Sequence, residues 1–174
     1  MKSGRPEEGE YAPYAKSDID YVSGDEAVAA LRDQEQTVLD FFGAFTDESA
    51  NGLTYAPGKW TLKEVLGHLV DDERIFAYRA LCVARGEAAP LPGFDENDYV
   101  AGANFESRTL DDLVDEYRSV RQASITLFQS LTPEASVRRG TVNGYSASAR
   151  GLAFHVAGHE LHHLRTLREK YVRK

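Results

Sequence analysis

The stretch FHVAGHELHHL, residues 154–164, decides the fold and holds four of the five histidines in the chain. Apolar residues around it recur at helical spacing, which predicts one helix over residues 147–171. Residues four apart lie on one face of a helix, about one turn from each other. His159 and His163 are such a pair, and two imidazoles one turn apart can share one metal ion.

The other two histidines of this stretch leave alternatives open. His155 continues the same face one turn earlier, and spacing alone does not exclude it as a ligand. His162 lies about 100° round the helix from His163, nearer the edge of that face. A single histidine at the edge of a core is usually a hydrogen-bonded structural residue. Metal binding therefore needs a further ligand from another part of the chain.

Three more amphipathic helices are predicted upstream. The first begins at Ser23, where SGDE has the form of a capping box, and runs to about Phe45. The second opens with a capping box at Thr61 and ends near Gly86, since glycine often follows the last turn of a helix. The third begins at Thr109, with two aspartates in its first turn that suit the positive end of the helix dipole.

The remaining segments are predicted to lack helices and strands. Residues 1–22 contain prolines, glycines and interleaved tyrosines, and we expect an extended arm that its tyrosines hold against the body. Residues 86–108 form a long loop between the second and third helices, and an ordered crossover is favoured over a moving lid. Residues 136–146 are expected to be an irregular connection. The pattern predicts an all-α four-helix bundle over residues 23–172.

The composition narrows the class of protein. A length of 174 residues favours one domain with a real core, and no run of about 18 apolar residues could span a membrane. The formal net charge of −8 argues against a nucleic-acid partner, because phosphate contacts need clustered lysine and arginine. The N-terminus lacks the apolar core of a signal peptide, and one cysteine fits a reducing compartment. We expect a cytoplasmic protein that contacts neither nucleic acid nor membrane.

The second helix supplies the missing ligand in this interpretation. His68 lies at the margin of its apolar face, and Asp72 follows one turn later. One ion between this helix and the last would bind His68, His159 and His163. Water would complete the coordination, as in catalytic zinc sites. Asp72 or Glu160 would accept a hydrogen bond from an imidazole N–H, and His155 and His162 compete for the same roles.

Glu160 is the second carboxylate that the pattern turns inward. It lies near the middle of the apolar face of the last helix, where an unpaired polar group costs roughly 2–7 kcal/mol. It therefore needs a metal, a histidine N–H or an arginine, and Arg74 and Arg79 are available. Glu160 or Asp72 is also a candidate acceptor for the proton that a metal-bound thiol would release. Residues 159–163 separately match the zinc-peptidase pattern H-E-x-x-H. We treat that match as a coincidence, since no suitable third ligand follows it.

These residues together resemble the DinB/YfiT-like superfamily. The stretches that carry the likeness are WTLKEVLGHL (60–69), PLPGFD (90–95), NF (104–105) and GHELHH (158–163). Glu73 and Arg79 add to it, and the resemblance covers residues 20–172. Each motif is short, but their order and spacing are fairly specific.

The resemblance implies a four-helix bundle with up-down-down-up topology, often assembled as a homodimer. It implies a divalent metal, zinc or nickel, held by His68, His159 and His163. Relatives with known activities include thiol S-transferases that use low-molecular-weight thiols such as bacillithiol or mycothiol, and a maleylpyruvate isomerase.

Three functions remain open from the sequence. The first is a metal-dependent enzyme, either a thiol S-transferase or a hydrolase, that acts on a small-molecule substrate. The second is a non-catalytic metal-binding module of a stress response. The third is a purely structural role for the histidines, with no metal bound.

Overall fold

The computed structural model describes residues 4–172, which fold mainly as helices. The four long helices are α2 (Ala27–Phe42), α4 (Leu62–Arg85), α6 (Leu110–Ser130) and α8 (Ala149–Thr166). The short ones are α1 (Lys16–Tyr21), α3 (Asp47–Gly52), α5 (Glu96–Ala103) and α7 (Pro133–Val137). Within the described residues, no helix is long and apolar enough to cross a membrane.

The core consists of two apolar clusters, and the order in which the helices enter them gives the topology. One cluster contains Leu31 of α2 and Phe128 of α6, and the other contains Phe42 and Leu113 of the same helices. Helices α2 and α8 run from the first cluster to the second, whereas α4 and α6 run the opposite way. The up-down-down-up four-helix bundle is therefore confirmed.

A layer of buried polar side chains lies where each long helix passes from one apolar cluster to the other. The layer comprises Gln34, Asp72, Glu73, Arg121 and Glu160. Helix α4 packs against both α6 and α8, and α2 packs against the same two helices. Within the layer, Arg121 of α6 bridges Glu73 of α4 and Glu160 of α8.

The helix that carries His68 begins and ends as predicted. The Thr61 side chain accepts a hydrogen bond from the Glu64 backbone, and the Glu64 carboxylate accepts one from the Thr61 backbone. Gly86 ends the helix in a left-handed conformation with φ of 86°. Thr109 also caps α6 as predicted, by accepting a hydrogen bond from the Asp112 backbone.

The prediction for the start of the first long helix is wrong. Helix α2 begins at Ala27, and no side chain caps it. Residues 23–26 instead form the turn between α1 and α2, and Arg5 donates hydrogen bonds to the carbonyl oxygens of Val22 and Gly24. The turn is needed because a helix that the sequence did not predict occupies the preceding residues. The end near Phe45 is also too late, since α2 stops at Phe42.

The prediction of an extended arm over residues 1–22 is also corrected, and residues 1–3 lie outside the described part. A 3₁₀ turn (Pro13–Ala15) leads directly into α1. Buried Ile19 packs in the core and the partly buried Tyr11 packs against it, whereas Tyr14 is 55% exposed, so aliphatic burial together with Tyr11 holds the segment. A Cβ at Gly158 would lie 2.2 Å from the Asp18 carbonyl oxygen, so glycine there permits the close contact between α1 and α8.

Residues 136–146, expected to be irregular, contain most of a β-hairpin. Strand β1 (Arg139–Val142) pairs antiparallel with β2 (Tyr145–Ser148). Asn143 and Gly144 connect them with φ of 49° and 79°, the left-handed pair that a two-residue hairpin turn requires. The crossover at 86–108 contains α5, and its Leu91 bridges to Val142 of the hairpin. Hairpin and crossover thus meet over the end of α4.

Candidate metal site

Three histidines converge in the bundle, and we refer to them as the histidine trio. Nε2 of His68 lies 3.3 Å from Nε2 of His159, and Nε2 of His163 lies 3.1 Å from the same atom. The three potential ligand atoms all lie within 4.8 Å of one another. Three imidazole nitrogens bound to one zinc ion would stand about 3.3 Å apart. The residues present therefore fit a shared divalent ion.

Two histidines of the trio have a lowered pKa, and the third, His159, has a raised one. Burial, together with the neighbouring His159, lowers the pKa of His68 to about 4. Burial also holds the pKa of His163 well below its ordinary value. Burial opposes charging of His159 as well, but the adjacent Asp72 carboxylate outweighs it and raises the pKa of His159. Neutral imidazole is the form that binds a metal, so two of the three rings are ready for it at neutral pH.

Asp72 lies beside the trio on α4. Its Oδ2 is 3.3 Å from Nδ1 of His159 and 3.8 Å from Nε2 of His155. Burial would raise the pKa of this carboxyl, but the neighbouring His159 holds it well below its usual range. A carboxylate there accepts a hydrogen bond from Nδ1–H of His159, which leaves the Nε2 lone pair directed toward the other two histidines.

The two remaining histidines of the last helix lie outside the trio. The His155 ring stacks on Phe76 at 3.9 Å between centroids, and its Nδ1 is buried without a hydrogen-bond partner. Burial lowers its pKa to about 4. His162 is directed to the N-terminal segment, where its Nδ1 lies 3.2 Å from Oδ1 of Asp18.

The structure places Glu160 away from this cluster, in the buried polar layer. Its carboxylate accepts hydrogen bonds from Arg121 at 2.6 Å and from the hydroxyl of Tyr117 at 2.9 Å. Arg121 also donates to Glu73 at 2.8 Å. Burial raises the pKa of Glu160 and the nearby Glu73 carboxylate adds to the shift, although Arg121 opposes it. The geometry gives no support for Glu160 as a proton acceptor beside the trio.

The arginine that satisfies Glu160 was not predicted. Arg74 forms an ion pair with Glu116 on the surface instead, and Arg79 donates to a backbone carbonyl. Arg121 is fully buried on α6, a helix for which the sequence analysis proposed no functional residue. Arg121 pairs with Glu73 on α4 and Glu160 on α8, and nothing in the sequence around Arg121 predicts these contacts.

Two open cavities flank the trio. Cavity A, of about 400 Å³, is lined by His155, His159, His162 and His163 together with Phe76, Arg79 and Phe94. Cavity B, of about 290 Å³, lies on the other side of His163 and is lined by aromatic and cationic residues, among them Tyr55, Trp60 and Lys170. Glu96 lines both cavities. A small molecule can therefore approach the trio from either side.

Several residues that line these cavities were missed by the sequence analysis. Phe94 and Glu96 belong to the long crossover, and Asn143 belongs to the hairpin turn. The Trp60 ring lies 4.8 Å from the His68 ring and precedes α4. The Asn-Gly turn signal was readable in the sequence, but the placement of the turn over the last helix was not.

Comparison with known proteins supports this description of the fold. The family profile of the DinB superfamily matches residues 30–167. YfiT from Bacillus subtilis, described as a probable metal-dependent hydrolase with an unusual four-helix bundle topology, superposes with a TM-score of 0.74. It shares 16% sequence identity, and the match covers 97% of this chain and 95% of YfiT.

A second solved structure is similar over a smaller share of its length. It is a mycothiol-dependent maleylpyruvate isomerase, with a TM-score of 0.67 and 12% identity. The match covers 79% of this chain but only 57% of the isomerase. No curated protein matches the chain by sequence comparison. At these identities the two structures show a shared fold and nothing further.

Proposed function

We propose, from the premise that the chain belongs to the DinB superfamily, that it is a metal-dependent enzyme acting on a small molecule. The observation that carries the proposal is the convergence of three imidazole nitrogens from α4 and α8 within 4.8 Å. His68, His159 and His163 would hold one divalent ion, with zinc and nickel as the leading candidates. Three protein ligands leave a coordination position for substrate or water, as in catalytic and not structural zinc sites.

A bound divalent ion supplies Lewis acidity, which lowers the pKa of a water molecule or thiol that coordinates to it. The chain's own residues do the remaining work. Asp72 fixes the tautomer of His159, and burial keeps His68 unprotonated at neutral pH. Glu96, which lines both cavities, replaces Glu160 in our proposal as the carboxylate that can accept a proton from a bound molecule.

The open cavities favour an enzyme over a non-catalytic metal-binding module. A module that only stores or senses a metal needs no room for an organic molecule beside it. Cavity A, at about 400 Å³, borders two members of the trio directly. Pockets that bind small molecules generally start near 300 Å³, so the volume is sufficient for one.

The metal is tested by elemental analysis of protein purified without a histidine tag. We expect about one equivalent of a divalent metal in the wild type and a large loss in His163→Ala. His162→Ala is the matched control, because His162 is the next residue on the same helix but pairs with Asp18. Wild-type protein with far less than one equivalent, after incubation with zinc or nickel, would leave only a structural role for the histidines.

The two enzyme classes are separated by supplying the metal-loaded protein with different reactants. For a thiol S-transferase, the probes are bacillithiol, mycothiol or glutathione with the electrophile monochlorobimane, and thiol consumption is measured. A hydrolase would consume ester or amide substrates without any thiol. Absence of thiol consumption with every cellular thiol tried would exclude the transferase.

The homodimer remains a prediction from the family resemblance. Light scattering coupled to size-exclusion chromatography gives the mass directly, and we expect twice the 19.3 kDa of one chain. A monomer at micromolar concentration would contradict it without affecting the proposed metal site.

A further inference from the structure

Arg79 is a buried cation without a carboxylate partner among the described residues. Its side chain is on α4 and the residue is only 4% exposed. One hydrogen bond is formed, from Nη2 to the carbonyl oxygen of Pro92 at 2.6 Å. A guanidinium carries five N–H donors and stays charged in proteins, so most of its hydrogen-bonding capacity is unused. Arg121, by contrast, uses its guanidinium on two carboxylates.

Two aromatic rings fix the position of the Arg79 guanidinium. Its central carbon lies 4.8 Å from the centroid of Phe76 and 5.4 Å from that of Phe94. Phe94 belongs to the crossover and Phe76 to α4, so the group is held by two separate segments. Contact with aromatic faces orients a planar cation without consuming its N–H donors.

Arg79 faces the same cavity as the trio. It lines cavity A with His159 and His163, and no other lysine or arginine is among the lining residues. The carboxylates that line the cavity are directed elsewhere or exposed: Asp72 contacts His159, Asp18 contacts His162, and Glu96 is exposed. Asp72 favours the charged form of Arg79 from a distance, but no carboxylate among the described residues forms an ion pair with the guanidinium, so its free N–H donors remain available to a bound molecule.

We propose that Arg79 determines substrate specificity by binding a carboxylate group of the substrate. This inference rests on the proposed function, and it defines the substrate class as small organic acids with an apolar portion. The carboxylate would accept hydrogen bonds from the unused guanidinium donors, for which the planar fork of arginine is well matched. The apolar portion would contact Phe76 and Phe94, and the reacting end would reach the trio.

The test uses protein treated with EDTA, so that its outcome does not depend on a metal. Phenylalkanoic acids of increasing chain length, from phenylacetate to 5-phenylpentanoate, are compared with their amides by isothermal titration calorimetry. We expect at least one acid to bind about tenfold or more tightly than its amide, because the amide lacks the charge. If no acid binds more tightly than its amide, the inference is overturned.

Variants identify the residue responsible. Arg79→Met should abolish the preference for the acid, whereas Arg74→Met, five residues earlier on the surface of the same helix, should retain it. Arg79→Lys keeps the charge but lacks the fork and should weaken acid binding several-fold, which covers the case in which the methionine variant does not fold. Full acid preference in either Arg79 variant would overturn the inference.

The acid preference itself separates this inference from a purely structural role. If Arg79 served only to hold Pro92, Arg79→Met would lower the melting temperature and leave the acid preference intact. In our proposal Arg79→Met loses the acid preference, whatever the loss of the Pro92 hydrogen bond does to the melting temperature. Because the titrations use EDTA-treated protein, a failure of the proposed metal site leaves this result unchanged.

Discussion

The carboxylate of Asp72 lies 3.3 Å from Nδ1 of His159, while Nε2 of the same ring faces His68 and His163. One side of the imidazole is therefore bound to a fixed acceptor and the other side is available as a ligand. Outer carboxylates of this kind set the tautomer and increase the basicity of a coordinating histidine.

Replacing Asp72 with asparagine should weaken metal binding by about 10–100-fold, because the ring loses its charged partner. Competition with a chromophoric chelator measures the affinity. Asp71→Asn is the control, since the adjacent carboxylate makes no contact with the trio and lies 4.0 Å from Arg74. Equal affinities for the Asp72 variant and the wild type would contradict the role assigned to this residue.

Replacing Arg121 with leucine should destabilise the fold by about 3–5 kcal/mol, because Glu73 and Glu160 would remain buried without their cation. Urea denaturation gives the free energy of unfolding. Arg118→Leu on the same helix removes an exposed pair with Asp115 and should cost only about 0–1 kcal/mol. Similar costs for the two variants would show that the buried layer contributes little to stability.

Metal-free protein should lose stability as the pH falls from about 7 to about 5.5. His68 and His155 have folded pKa values of about 4, below the ordinary value of 6.5. The unfolded chain therefore takes up protons in this window that the folded chain does not, and the imbalance favours unfolding. His159, whose pKa is raised, acts in the opposite direction but is outnumbered.

A variant isolates one contribution to that pH dependence. His155→Phe preserves the stack on Phe76 and removes one titrating ring, so its loss of stability between the two pH values should be smaller by about 1 kcal/mol. Urea denaturation of EDTA-treated protein at both pH values supplies the comparison. An unchanged pH dependence would mean that His155 is not held neutral by burial.

Replacing Gly158 with alanine should destabilise the protein by about 1–3 kcal/mol, because the new Cβ would meet the Asp18 carbonyl oxygen at 2.2 Å. Gly102→Ala is a matched control on α5, where a Cβ would meet nothing within 4 Å. Thermal denaturation of both variants measures the difference. If Gly158→Ala is as stable as the control, the contact between α1 and α8 is not a tight one.

The sequence predicted the features that depend on local patterns. The Thr61 capping box, the Gly86 terminus and the i, i+4 histidine pair are all short-range signals, and the structure contains each of them. The convergence of His68 on that pair was also expected, although metal binding itself stays a prediction.

Features that depend on distant contacts were not predictable in the same way. Ser23 had the sequence of a helix cap, but the packing of α1 against α8 requires a turn there. Arg121 lies in an ordinary amphipathic helix, and nothing near it in sequence indicates that it pairs with Glu160. Asn143 marks a turn, but only the folded chain shows that this turn borders the histidines.

Glu160 and His159 are consecutive residues, so their side chains leave α8 in directions about 100° apart. Arg121 and Tyr117 hold the first of these side chains, and that fixes how far the helix can rotate about its own axis. Helix α6, which contributes no histidine to the trio, thus helps to set the angular position of His159 and His163 on α8. A histidine of the trio could therefore be replaced by another side chain without turning α8, provided that this internal anchor is kept.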